Sequence, residues 1–200
     1  MIKELLKKKK IIFVTGDAKK EAGSFIYFVL KDSFKVFLIN RIPTFFDIFS
    51  ILKCDVIIIE DNEKESVERI RSFLGDFSCY FVITEVKKKG RVKKIIHGFE
   101  DFIFVLDFSI AKKLKRNKEG LTFGINKKSA DFYITDIHQR EDEINFKVNY
   151  GGNTIPFWIK EITKKKEIYG ILPALCIVKL FKINLADVSY KIKEEFFTEK

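Results

Sequence analysis

Cysteine and histidine are scarce in this chain. The three cysteines, Cys54, Cys79 and Cys176, lie far apart in apolar stretches, and the two histidines, His97 and His138, stand alone. Residues so placed give neither a disulfide framework nor zinc-type ligand spacing; they read as buried free thiols and surface imidazoles. Long apolar runs are missing as well, since none reaches the roughly 20 residues of a membrane-spanning helix. The N-terminal lysines are not followed by the apolar core and cleavage site of a signal peptide, so the chain reads as cytoplasmic. No Ser-His-Asp or Cys-His grouping, internal repeat or low-complexity linker can be drawn from the sequence.

What remains is a chain of 200 residues, 46% hydrophobic, of a size for one globular domain. Its net charge of +10 invites a nucleic-acid reading through phosphate contacts. The lysines are scattered, however. Lys, Ile and Phe are also the residues that an AT-rich genome encodes, so compositional bias accounts for the charge without a nucleic-acid partner. The run from Lys87 to Lys94 has no interleaved aromatics for base stacking and reads as a solvated loop.

The most informative stretch is Lys9 to Lys31, KKIIFVTGDAKKEAGSFIYFVLK. Ile11 to Val14 reads as a buried strand, Thr15 to Lys20 as a tight turn, and the rest as an amphipathic helix with Ala22, Phe25, Ile26, Val29 and Leu30 on one face. Strand, glycine-containing turn and helix form the layout in which backbone N–H groups and a helix N-terminus cradle a phosphate. Further strands are predicted at Lys35–Asn40, Asp55–Glu60, Cys79–Thr84 and Asp101–Leu106, and helices at Pro43–Lys53, Glu63–Leu74 and, after the last of these strands, through Lys115. This alternation predicts a mostly parallel sheet flanked by helices, a three-layer α/β architecture. After Gly120 the pattern changes to four strand-like segments, Leu121–Gly124, Asp131–His138, Ile144–Tyr150 and Thr154–Ile159, read as a small antiparallel meander appended to the sheet. Phe157 and Trp158 are read as core or interface. The tail returns to helix at Ile168–Lys182 and from Leu185 to about Phe197. The expected organisation is one domain: a basic leader (1–10), an α/β core (11–120), the meander (121–160) and C-terminal helices (161–200).

Five segments, in order, resemble the central ATP-binding domain of the Mur ligases, closest to the branch that adds D-alanyl-D-alanine. Ile12-Phe13-Val14-Thr15-Gly16 is similar to the strand and first residues of the family's TG(S/T)xGKT loop, and Ile42-Pro43 to its G-(V/L)-P segment. Asp55 to Glu60 resembles the strand that ends in a magnesium-associated glutamate. Leu121-Thr122-Phe123-Gly124, Ala130-Asp131 and Asp136-Ile137 follow the ITFG…AD…DI pattern, and Ile168 to Leu175 resembles the helix reading HNxxNxLAA. The resemblance covers nearly the whole chain but only the family's middle third, so the expectation is a stand-alone central domain of P-loop type. It implies ATP and magnesium as cofactors, and a reaction in which ATP phosphorylates a substrate carboxylate before an amine attacks the acyl phosphate.

At the loop, the resemblance points to Thr15, Gly16, Lys19, Lys20 and Glu21. Lys20 aligns with the phosphate-binding lysine, but Lys19 stands where glycine lets the backbone approach phosphate, and Glu21 where a hydroxyl holds magnesium. Glu60 and Glu85, at neighbouring strand ends, are the metal candidates, although a lone strand-end acid more commonly reads as solvated. The carbamylated lysine of the family falls on Lys93 or Lys94. The NxGxxH segment is replaced by Glu85 to Gly90 and the His-Asn pair by Lys166-Glu167. These departures give a degenerate, ligase-derived protein without independent turnover, serving as a scaffold or as a subunit completed by another Mur-ligase-type chain or cell-wall enzyme. Two alternatives stand beside it: an active ATP-binding ligase with a remodelled loop, and a basic module for RNA or an acidic protein.

Overall fold

The computed structural model describes residues 9–41, 47–60, 78–84, 103–114, 120–141, 143–160 and 165–195. Nine strands are found among them: β1 (Lys10–Thr15), β2 (Val36–Ile39), β3 (Val56–Glu60), β4 (Ser78–Ile83), β5 (Ile103–Asp107), β6 (Gly120–Ile125), β7 (Phe132–Gln139), β8 (Glu143–Tyr150) and β9 (Asn153–Lys160). The helices are α1 (Lys19–Leu30), α2 (Ile48–Lys53), α3 (Phe108–Leu114), α4 (Lys165–Leu180) and α5 (Leu185–Glu195). The helix expected at Glu63–Leu74, the first turn of the one expected at Pro43–Lys53, and the Lys87 to Lys94 run lie outside the described residues.

All nine strands form one sheet in the order β2-β3-β1-β4-β5-β6-β7-β8-β9. From β2 to β7 every pairing is parallel, and β7-β8-β9 is antiparallel. The continuous apolar character of β1, β3 and β4 follows from coverage on both faces. One face carries a core that includes Ile12, Val14, Val56, Ile58, Ala22, Ile26, Ile171 and Leu175, packed with α1, α4 and α5. Ile11, Phe13, Ile57, Ile59, Phe81 and Ile110 form the core on the α2 and α3 side. The three layers are thus helices, sheet, helices.

The middle of α4, Ile168 to Val178, is apolar around its whole circumference. Ile168, Ile171, Leu172 and every residue from Ala174 to Val178 are fully buried, as expected of a helix without a polar face. Pro173 lies inside it and removes one backbone donor without ending the helix. α5 packs on β9, and Lys191 ties it to α1 by donating to the Phe28 carbonyl (2.7 Å) and pairing with Asp32 (2.6 Å).

One part of the sequence reading is corrected here. β6 does not belong to an antiparallel meander: it runs parallel between β5 and β7, and the antiparallel strands continue the same sheet. The short 126–131 connection reads as a hairpin because parallel neighbours ordinarily need a crossover of a dozen or more residues. Here the return is made by a compact loop. Asn126 adopts φ +54°, and the Thr122 N–H and hydroxyl both donate to Asp131 Oδ2 at 2.7 Å. The Asp131 N–H donates back to Thr122 Oγ1 at 3.0 Å. Phe157 is core, and Trp158 is 40% exposed, with the Lys193 ammonium 5.8 Å from its ring centroid. Cys54, Cys79 and Cys176 are buried free thiols, and His138 is exposed, as read from sequence.

The basic leader is partly built into the fold. Lys9 is buried and donates to the carbonyls of Leu52 and Cys54 at the end of α2. Lys10 opens β1, its ammonium 4.3 Å from the Phe181 ring centroid. Residues 1–8 are outside the described set.

Candidate functional site

β1 runs into the sheet's carboxyl edge at buried Thr15. Gly16 then turns the chain with φ +107°, a conformation costly for any residue with a Cβ. The chain passes through Asp17 and Ala18 into α1, whose N-terminus has no side-chain cap. α1 thus starts beyond the carboxyl end of β1, at the edge where α/β proteins place ligands.

Three neighbours hold this turn. Thr84, just past β4 and fully buried, donates its hydroxyl to the Thr15 carbonyl (3.0 Å) and accepts the Ala18 N–H (3.2 Å), while its own N–H also reaches Thr15 O (2.9 Å). From α4, Gly170 presses on the first turn of α1: a Cβ there would lie 2.7 Å from the Glu21 Cβ and 3.0 Å from the Ala22 nitrogen. From β3, the Glu60 carboxyl reaches across to Gly23, where a Cβ would lie 2.0 Å from Oε1.

Four of the residues singled out from sequence, Lys19, Lys20, Glu21 and Glu60, are brought together. Lys19 and Glu21 are half-buried and Lys20 is exposed. Glu60 corrects the expectation of a solvated strand-end acid: it is only 5% exposed, because α1 lies over it and Gly23 leaves room for its carboxyl. Burial pushes its pKa up to about 7; nearby Lys19 and Lys20 pull it down, and Glu21 pushes it up further. With both carboxyls ionised, the two ammonium and two carboxylate charges cancel. With Glu60 protonated, the cluster carries one net positive charge. Glu85, Lys93 and Lys94 lie outside the described residues.

Thr84, Gly23 and Gly170 were missed by sequence reasoning. The two glycines carried a signal, since glycine inside a helix costs about 1 kcal/mol against alanine unless packing requires it. Thr84 ends an apolar strand, and nothing in its spacing marks it.

Among the described residues no group of three or more His, Cys, Asp or Glu side chains converges to hold a metal by itself. Magnesium commonly takes one or two carboxylates and completes its shell with water and substrate phosphates. Glu60 supplies one such carboxylate, so the site fits a metal that arrives with phosphates and water.

No protein-family model matches the chain, and no curated protein matches it. Its fold is that of known ligases. A MurF ligase from Thermotoga maritima in complex with ADP superposes with a TM-score of 0.75 at 16% identity, over 96% of this chain and 50% of that one. The D-alanyl-D-alanyl ligase of this type from Acinetobacter baumannii gives 0.72 at 11% identity, over 96% and 47%. A pseudomurein peptide ligase type C from Methanothermus fervidus gives 0.70 at 14%, over 94% and 49%. The chain thus spans about half the length of these proteins. At such identities the likeness defines the fold: a mostly parallel α/β sheet of Mur-ligase type.

Proposed function

We propose that this chain descends from ATP-dependent, amide-forming ligases of peptidoglycan-precursor synthesis, on the branch that adds D-alanyl-D-alanine. In this reading it keeps the frame of their nucleotide cradle but has lost most of its hold on ATP. It acts in the cytoplasm as a pseudoenzyme, either a scaffold or a subunit completed by another Mur-ligase-type chain or cell-wall enzyme.

The observation that carries this reading is the charge balance at the start of α1. A triphosphate needs a net positive cradle and bare backbone N–H groups. Here Glu21 and Glu60 offset Lys19 and Lys20, the Ala18 N–H is spent on the Thr84 hydroxyl, and Lys19 adds a side chain where the resemblance calls for glycine. Magnesium, when bound with phosphates, would supply the positive charge that stabilises phosphoryl transfer. In the second reading below Glu60 would hold it, and Lys19 and Lys20 would take phosphate oxygens.

The closeness of Lys19 and Lys20 to the buried Glu60 favours a second reading, in which the loop is remodelled and still binds Mg-ATP. Titration calorimetry separates the two. Under the first reading ATP binds in the millimolar range or weaker, with or without magnesium. Micromolar, magnesium-dependent affinity that Lys20→Ala abolishes would establish the second.

A further inference from the structure

A cavity of about 420 Å³ opens on the meander, between the 126–131 loop and the Gly151-Gly152 turn. β7, its inner wall, is four strands from β1 in the sheet order, ~20 Å at ordinary inter-strand spacing, so it is separate from the site at α1. Its walls are fixed before any ligand arrives. Asn149 donates through Nδ2 to Thr135 Oγ1 (3.0 Å) and accepts the Thr154 hydroxyl on Oδ1 (2.8 Å), locking three strands side by side. Asp131 is held through Oδ2 by Thr122, which leaves Oδ1 for a ligand. Gly151 and Gly152, at φ +53° and +80°, make the tight turn that closes one side.

The lining decides the chemistry. Lys128 and Asp131 bring one charge of each sign and cancel, which disfavours phosphate and nucleotide. A single carboxylate does not make a metal site. The remaining walls, including Tyr133, Tyr150, Asn153 and Thr154, mix donors and acceptors with two aromatic rings, so a purely apolar ligand would strand polar groups. Hydroxyl groups both donate and accept. A ligand rich in them can satisfy the ammonium, the carboxylate and the amide together while laying a C–H face on the Tyr133 ring. We propose that this cavity binds a neutral polyhydroxylated ligand, a mono- or disaccharide, at a site independent of the one at α1.

The test is saturation-transfer NMR on the full chain with glucose, N-acetylglucosamine and cellobiose as probes, followed by titration. At least one sugar is expected to bind in the millimolar range. Tyr133→Ala should weaken it by about tenfold or more, and Asn153→Ala, on the exposed turn, should weaken it measurably if the first variant does not fold. Lys20→Ala should leave it unchanged. The proposal is overturned if none of the three sugars shows transfer at tens of millimolar, if binding survives both cavity variants, or if glycine or inorganic phosphate displaces the sugar.

Discussion

Glu60 shows how one side chain sets the terms of a site. Its folded-state pKa of about 7 lies above the ordinary value of 4.5, so the folded protein holds this proton more tightly than the unfolded chain does. Its contribution to stability is therefore fully present below about pH 4.5 and is lost as pH rises through about 7. Glu60→Gln removes the penalty: at pH 8 the variant should exceed wild type by up to about 3 kcal/mol, with the gap closing towards pH 4. Urea unfolding at the two pH values measures this, and an equal gap at both would contradict the assignment. Thr84 makes the complementary case. Thr84→Val keeps the volume but leaves the Ala18 N–H unpaired, and should cost about 1–3 kcal/mol in the same assay. Gly16, Lys20 and the turn around them were legible in the sequence because a strand, a glycine and a helix repeat imply such a turn wherever they occur. The burial of Glu60 was not, because it depends on Gly23 lying opposite on another element.

At the scale of elements, α4 is the piece on which the helical layer depends. Its fully buried Leu175 should cost about 2–5 kcal/mol on truncation to Ala, read by thermal or urea unfolding. Gly170→Ala puts a Cβ against the backbone of α1, which has little freedom to give way, and should cost about 1–3 kcal/mol in the same measurement. Apolar periodicity placed the described strands and helices within a few residues, since each buries a continuous run or one face. It could not tell β6 from a hairpin strand. That distinction rests on the Thr122–Asp131 bonds, which turn a short connection into a parallel return. The same two residues lie in the stretch that resembles the Mur ligases, so a structural clamp accounts for their presence without a part in chemistry.

For the whole molecule, the fold follows from the order of segments, and the question is what the cradle at α1 still does. The net charge of +10 is spread along the sequence, while the cradle sets two carboxyls against its two ammonium groups. Charge summed over a sequence does not locate a phosphate site, so the nucleic-acid reading gains nothing from composition alone. The proposed loss of ATP binding rests on Lys19 and Glu21, which stand where the resembling loop has glycine and a hydroxyl. The most direct measurement is calorimetry with Mg-ATP on the wild-type chain and on the double variant Lys19→Gly, Glu21→Thr, with folding checked by circular dichroism. If those two side chains closed the cradle, the variant binds at least about tenfold more tightly than wild type. A wild-type chain that binds Mg-ATP as tightly as the variant would contradict it.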